Sequence, residues 1–326
     1  MYKSEDIDYY DIIEEQFNTL DIANFHVSYS PAKVFLCGGE YNTGKIIPQS
    51  LRDRLIEYYE INDSSAIGAC VQAEDFKDYL KESTYSDLLE FEDDIAKIAT
   101  LIIICLESPG ALVELGLFVN NRNLDNKLIV IAPQDKVEAH NSFIYLGPLK
   151  KLQDKDDKSV LIYPWPDSNI KEYEHLELIV ADINSKFIKL NKSEKFDTKN
   201  IAHLSFLIHD IVLLSHPIKA FEIEWCLTIL GIDINDKKLK KILYLLEKIG
   251  LVKYTRYSNV KYYYDTELDI RRIKFGKTKD GKLKDEMTIK LAIKQSYIIG
   301  QSEFNKKRKL ALKQIIALKL KDGITK

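Results

Sequence analysis

An apolar run that stops at a Glu-Ser-Pro-Gly turn and continues as a helical pattern constrains this chain more than any other feature. The run covers residues 101–106, the turn covers residues 107–110, and the helical pattern carries one acidic residue, Glu114. A buried strand, a tight turn and a helix N-terminus together form the place where open α/β sheets bind ligands. A carboxylate there is poorly placed to bind phosphate but well placed to act on a sugar.

Further apolar runs predict strands that alternate with helical patterns. The expected strands span residues 34–37, 66–71, 101–106, 127–132 and 159–163. A closing helix is expected over residues 169–190. This alternation predicts an α/β fold with a doubly wound parallel sheet and helices on both faces. Because parallel strands end at one edge of the sheet, the strand-end acids Glu74, Asp75 and Glu107 should face a common crevice.

The composition changes at a polar stretch, residues 191–200, which we interpret as a linker. Three helical patterns and a two-stranded hairpin follow, which together predict a mostly helical winged helix-turn-helix domain. We therefore expect four parts in order along the chain. They are an N-terminal helical segment over 1–30, the α/β domain over 31–192, the winged helix over 198–270 and a basic helical extension over 271–326.

Charge is distributed unevenly, although the net charge is only −3. Residues 274–326 carry 15 Lys/Arg against 5 Asp/Glu, whereas the rest of the chain carries 32 against 45. A segment of this kind either meets a polyanion or an acidic partner, or is simply a solvated helical surface. Its densest run is Lys306, Lys307, Arg308 and Lys309, whose contacts with phosphates would be salt-dependent and tolerant of sequence.

Composition argues against several classes of protein. No run reaches the ~18 apolar residues of a membrane helix, and the acidic N-terminal segment lacks the apolar stretch of a secretory signal. The four cysteines form no C-x-x-C pair, which favours free thiols in a reducing cytoplasm over disulfides or a zinc site. The histidines show no metal-ligand spacing with the cysteines, and Rossmann and Walker motifs are absent. We expect neither a metal nor a bound cofactor.

Glu114 has two interpretations. A glutamate in the first turn of a helix commonly does no more than complement the helix dipole. Here most neighbouring residues are apolar, namely Leu112, Val113, Leu115, Leu117 and Phe118. The helix should therefore be largely buried, where a lone carboxylate is costly, and Gly116 leaves space beside it. These features favour a functional carboxylate over a structural one.

Taken in order, these motifs resemble the nucleoside 2-deoxyribosyltransferase-like superfamily. They resemble more closely the effector proteins of retron anti-phage systems, which join such a domain to a C-terminal winged helix. The resemblance covers residues 30–165 by motif and the remainder by architecture. The residues that carry it are Val34 to Gly39, Glu74-Asp75, Glu107 to Gly110, Glu114 to Gly116, Asn120-Asn121, Asn123-Leu124, Lys127 to Ile129 and Ser142 to Pro148.

The resemblance implies roles for individual residues. Glu114 matches the glutamate that attacks or supports the anomeric carbon of the sugar. The implied substrate contacts are Gly38, Gly39, Asp75, Glu107, Ser108, Gly110 and Asn120. The sequence departs from the family pattern at Ser108, because transferases often place an aspartate six residues before the glutamate.

The implied reaction is cleavage of an N-glycosidic bond. A site without a clear general acid favours NAD, as substrate rather than cofactor, because its nicotinamide leaves without prior protonation. The resemblance also implies control by a retron reverse transcriptase and its multicopy DNA–RNA hybrid, and assembly of the effector as a homo-oligomer. Two alternatives stay open, a nucleotide-sensing DNA-binding regulator and a nucleoside deoxyribosyltransferase of salvage.

Overall fold

The computed structural model describes residues 9–42, 44–62, 70–71, 85, 87–138, 143–266 and 269–323. It divides into two compact units. One unit, Tyr29–Lys192, is called the α/β unit. The other, called the helical unit, combines Met1–Ser28 with Ser193–Lys326. Within the described ranges we find no helix with the length and hydropathy needed to cross a bilayer.

Helices and strands alternate through the α/β unit. Its strands are β2 (Val34–Cys37), β3 (Cys70–Val71), β4 (Leu101–Cys105), β5 (Leu128–Pro133) and β6 (Val160–Tyr163). Its helices are α2 (Leu51–Asn62), α3 (Leu88–Ile98), α4 (Pro109–Val119), α5 (Gln134–Glu138), α6 (Lys150–Gln153) and α7 (Leu176–Lys189).

The five strands form one parallel sheet in the order β3-β2-β4-β5-β6. Every residue of β2, β4 and β5 is buried, as expected for parallel strands covered on both faces. These three strands could be predicted from the sequence because each is a continuous apolar run. The predicted mixed α/β fold with a parallel sheet is thus confirmed.

Helices cover both faces of this sheet. Val34 and Leu36 of β2 pack with residues of α2 and α7 on one face, whereas Phe35 faces the ring of Phe118 in α4 at 6.1 Å. The helix after β2 and the helix after β4 therefore lie on opposite faces, although the two strands are neighbours. A crevice forms at such a switch point, between the turn after β2 and the turn after β4.

The helical unit has a small sheet and a hairpin besides its helices. Its helices are α1 (Tyr9–Asn18), α8 (Ile201–Ser215), α9 (Ala220–Ile229), α10 (Asp236–Lys248), α11 (Glu286–Ile299) and α12 (Glu303–Lys321). Its strands are β1 (His26–Ser28), β7 (Ser193–Lys195), β8 (Val252–Tyr257), β9 (Val260–Asp265) and β10 (Ile273–Lys274). Strands β8 and β9 form an antiparallel hairpin whose turn residues, Ser258 and Asn259, have φ of 51° and 61°.

Three expectations about the elements need correction. The stretch 191–200 is not simply a linker, because β7 within it pairs with β1 in an antiparallel sheet of order β10-β1-β7. The closing helix begins at Leu176 rather than at residue 169. Helix α12 is packed rather than appended, since it contacts β8 and buries Ala311 and Ile315.

Candidate functional site

The carboxylate of Glu107 ties the end of β4 to the start of α2. Its oxygens accept hydrogen bonds from the backbone N–H groups of Gly39, Leu51 and Arg52 at 2.9, 2.7 and 3.0 Å. Burial raises the pKa of Glu107, and the three N–H donors act in the opposite direction. The carboxylate is therefore engaged in holding the crevice together, which the sequence did not predict.

The glycine pair after β2 is explained by atoms of the protein itself. A Cβ atom at Gly38 would lie 2.9 Å from the Cβ of Arg52 and 2.9 Å from Oε1 of Glu107. At Gly39 it would lie 2.8 Å from the Cβ of Ser50. The start of α2 and the side chain of Glu107 therefore leave no room for a side chain at either position. A role for the pair in substrate binding stays a prediction.

Ser108 links the two turns of the crevice. Its Oγ accepts a hydrogen bond from the N–H of Ala111 at 3.1 Å, as the N-cap of α4, and donates to the carbonyl of Gly38 at 2.8 Å. Gly110 lies in the first turn of the same helix. Both residues therefore lie near the turn after β2, and their role as substrate contacts stays a prediction.

Asn120 is not brought to the crevice. It ends α4, and its amide donates to the carbonyl of Gly116 at 3.0 Å and accepts from Nζ of Lys151 at 3.0 Å. An eleven-residue helix is about 16 Å long, so its two ends cannot share one small site. Asn120 therefore lies at the end of α4 away from the crevice of its own chain, and its role as a substrate contact stays a prediction.

Glu114 points toward the sheet and not into bulk water. It is 9% exposed and shares its face of α4 with Ala111, Leu115 and Phe118. Its carboxylate is hydrogen-bonded to the thiol of Cys37, the last residue of β2, directly before Gly38. Burial, and after it the charge of Glu114, raises the pKa of this thiol, so Cys37 stays protonated and donates. The carboxylate thus lies at the switch point beside the glycine turn.

A second buried carboxylate, Glu92 of α3, was missed by the sequence interpretation. It is 7% exposed, and its charge also raises the pKa of Cys37. A signal was available, because Glu92 falls between Phe91 and Ile95 on the buried face of α3. Leu88 and Leu89, in the first turn of the same helix, are exposed and do not mark this face.

Two neighbouring cavities open at the carboxyl ends of the strands. The apolar cavity, of about 540 Å³, is lined largely by apolar side chains, which include Leu106, Leu112, Val137 and Leu149. The polar cavity, of about 420 Å³, is lined by residues that include Gln49, Ser50, Arg54 and Ser168. The two cavities share Glu107, Ser108, Pro109 and Trp165. Glu114 lines neither of them.

Asp75 and its neighbour Glu74 lie outside the described residues, so their place at the crevice stays a prediction. Cys37, Cys105 and Cys226 are buried free thiols, as the sequence predicted for the cysteines. Among the residues that the structure describes, no group of three or more His, Cys, Asp or Glu side chains is arranged to hold a metal ion.

The predicted basic contact run lies on α12, and one of its members is not on the surface. Lys306 is exposed, Lys307 pairs with Glu303 at 2.9 Å, and Lys309 donates to backbone carbonyls. Arg308 is 2% exposed, and its guanidinium binds the carboxylate of Glu222. Arg308 therefore cannot contact a phosphate in this conformation, because the helical spacing turns it into the core.

Comparison with known proteins identifies the family. The chain matches the family described as STM3845 retron effector protein over residues 48–254. It is 32% identical, over 263 residues, to the candidate ribosyltransferase/DNA-binding protein of retron Ec73 from Escherichia coli, a match that covers 74% of this chain and 81% of that protein.

A second relative is the candidate ribosyltransferase/DNA-binding protein of retron Ec86, also from Escherichia coli. It is 35% identical over 192 residues, which cover 56% of this chain and 59% of the relative. The matched region includes α2, the Glu107 turn, Glu114 and the hairpin strand β8 up to residue 254. The chain therefore belongs to the STM3845 retron effector family.

Proposed function

We propose that this protein is the toxic effector of a retron anti-phage system, and that it cleaves the N-glycosidic bond of NAD or a related nucleotide. The observation that carries the proposal is the position of Glu114. Its carboxylate is buried at the switch point of a parallel sheet, beside Cys37 and the glycine turn. The names of the two relatives, which include ribosyltransferase, support chemistry at a ribose.

The proposed reaction needs one carboxylate and one water molecule. The bond between C1′ of the ribose and the nicotinamide nitrogen breaks, and its electron pair leaves with the nicotinamide, which becomes neutral. Glu114 stabilises the resulting oxocarbenium ion or bonds to C1′; water then adds at C1′, the bond to Glu114, if formed, breaks and returns its electron pair to the carboxylate, and the water loses a proton to solvent. Since the leaving group needs no proton, the serine at position 108 is compatible with this reaction.

The helical unit supports a second part of the proposal, a winged helix that contacts nucleic acid or the reverse transcriptase. Helix α8 is followed by Ile218, which bridges to Tyr263 of β9, and then by α9, α10 and the β8-β9 hairpin. This order of elements is the one expected of a winged helix-turn-helix. We propose that this unit and the lysines of α12 hold the effector on the retron DNA–RNA hybrid.

A product assay separates the proposal from its alternatives. Purified protein is incubated with NAD and, separately, with deoxynucleosides, and free base is measured by chromatography. We expect nicotinamide from NAD. Exchange of bases between deoxynucleosides would indicate a salvage transferase instead, and binding of NAD without any base release would indicate a nucleotide-sensing regulator.

A further inference from the structure

Arg54 is a buried cation that is held only by neutral groups. Its side chain is 2% exposed, and its guanidinium donates to the backbone carbonyls of Asp167, Ile170 and Lys171. Within the described ranges no carboxylate oxygen lies within 4.0 Å of it, and its Nε has no acceptor. A buried charge without a counter-ion is costly.

The carboxylates of Asp53, Glu57 and Glu107 compensate the charge of Arg54 only in part. Burial lowers the pKa of Arg54 and outweighs the charges of Asp53 and Glu57, which act in the opposite direction. Arg54 also lines the polar cavity, beside Gln49 and Ser50. An anion in this cavity would supply the missing counter-charge.

The adjoining apolar cavity has the size and lining of a ligand pocket. Its volume of about 540 Å³ lies within the usual range for small-molecule sites. Trp165 lines both cavities and therefore lies at their junction. A flat ring in the apolar cavity can lie against this indole, and stacking of a base on an aromatic side chain contributes roughly 1–3 kcal/mol.

We propose that the two cavities together form a nucleotide-binding site, which takes a nucleoside 5′-phosphate with its base against Trp165 and its phosphate at Arg54. A nucleotide joins a flat, weakly polar ring to an anion, which is the pairing that these two cavities offer. The Glu107 carboxylate, which both cavities share, is directed to three backbone N–H groups. Glu114 lines neither cavity, so binding here can be measured separately from the proposed turnover, although Gly39, Glu107 and Ser108 of the lining are also predicted substrate contacts.

The test follows the fluorescence of Trp165. The chain has two tryptophans, so a full-length Trp225→Phe variant reports on Trp165 alone, and calorimetry on the unsubstituted chain checks that this substitution changes nothing. AMP should quench the fluorescence saturably, and ribose 5-phosphate should compete with it. Adenosine, which lacks the phosphate, should bind at least roughly tenfold more weakly than AMP.

Two neighbouring residues of α4 give a matched pair of variants. Leu112 and Val113 are both exposed, at 43% and 59%, but only Leu112 lines the apolar cavity. Leu112→Asp should weaken AMP binding at least roughly tenfold, whereas Val113→Asp should leave it unchanged. Arg54→Lys should remove the advantage of AMP over adenosine, because a lysine cannot keep the carbonyl contacts and also reach the phosphate.

Competition identifies the source of the nucleotide. In a Glu114→Gln background, displacement of AMP by NAD would show that the site holds the adenylate half of NAD, and simultaneous binding would show that it holds a free nucleotide. The proposal is overturned if neither AMP nor NAD quenches Trp165 saturably, or if Leu112→Asp and Val113→Asp bind AMP alike. Binding is measured without turnover, so failure of the glycosidase assay would leave this result unaffected.

Discussion

Buried charges are satisfied differently at the crevice of the α/β unit and in the core of the helical unit around Arg308. In the α/β unit, the carboxylate of Glu107 and the guanidinium of Arg54 are held by backbone N–H and C=O groups. In the helical unit, the guanidinium of Arg308 is held by the carboxylate of Glu222 at 2.6 Å. Backbone dipoles satisfy hydrogen bonds but leave the net charge in place, whereas an ion pair cancels it.

A buried charge paired with an opposite charge stabilises the fold, whereas a buried charge without such a partner can attract a ligand of opposite charge. Arg308 and Glu222 neutralise each other in a core where Tyr9 stacks on the guanidinium at 3.5 Å. Around the crevice of the α/β unit, Arg54 keeps its charge beside a cavity. We therefore expect substitutions in the helical unit to affect stability most, and those at the crevice to affect binding and turnover.

The largest loss of stability is expected for Arg308→Met. This change removes the two-bond ion pair of the buried Glu222, leaves Lys219 at 3.4 Å as its remaining cation, and should cost about 3 kcal/mol in the free energy of unfolding. Denaturant unfolding measures the loss, and Lys307→Met, in a surface ion pair with Glu303, is the control, with an expected effect below about 1 kcal/mol. If both variants unfold at the same denaturant concentration, Arg308 is not part of the core.

The second largest loss of stability is expected for Asp265→Asn, which should also change how stability depends on pH. Burial acts to raise the pKa of Asp265, but the hydrogen bond and charge of His216, at 2.9 Å, and the charge of Lys319 hold the pKa well below its ordinary value of 3.8. Because the folded pKa is the lower one, this stabilisation is present above about pH 4 and is lost as pH falls through the folded pKa. Asp265→Asn should lower stability at neutral pH and reduce its acid dependence. Thermal unfolding between about pH 2 and neutrality tests this, and a variant as acid-sensitive as the parent would contradict it.

Glu107→Gln should have a smaller effect of about 1–3 kcal/mol, because an amide cannot replace a carboxylate toward three N–H donors. Its pH dependence has the opposite sign. Burial raises the pKa above the ordinary value of 4.5, so the folded state binds a proton more readily and stability falls as pH rises through that window. The glutamine variant should lack this slope in chemical unfolding, and the exposed Glu60→Gln should retain it. If the slope of stability against pH persists in Glu107→Gln, another titratable group causes it.

The smallest effects are expected for the surface lysines of α12. Replacing Lys306 or Lys307 by Gln should reduce the slope of log affinity against log salt for single-stranded DNA by about one per lysine that contacts a phosphate. Lys136→Gln, in the α/β unit, is the control and should leave the slope unchanged. Identical slopes in all three variants would show that these lysines of α12 do not contact nucleic acid.

The sequence predicted the parallel sheet well because β2, β4 and β5 are buried on both faces and are therefore continuously apolar. It did not predict the sheet of β1, β7 and β10, whose strands have two or three residues and come from distant parts of the chain. Ser193–Lys195 is exposed throughout, so it carries no apolar alternation. Pairing of this kind is decided by tertiary contacts and leaves no local pattern.

The site residues that could be predicted from the sequence are likewise those with a local pattern. Glu114 could be located because it lies in the first turns of the helix that directly follows a buried strand. The partners of Glu107 and the surroundings of Arg54 could not be predicted, because they come from backbone groups brought together only by folding. Asn120 is close to Glu114 in sequence but lies at the C-terminal end of the same helix, which the sequence spacing alone did not indicate.

The most direct test of the account is nicotinamide release from NAD by Glu114→Gln, compared with the parent chain at equal stability. We expect at least about a hundredfold loss of turnover, with denaturant midpoints unchanged, since the amide keeps the size of the side chain and can still accept from Cys37. Turnover equal to that of the parent would contradict a catalytic role for this carboxylate.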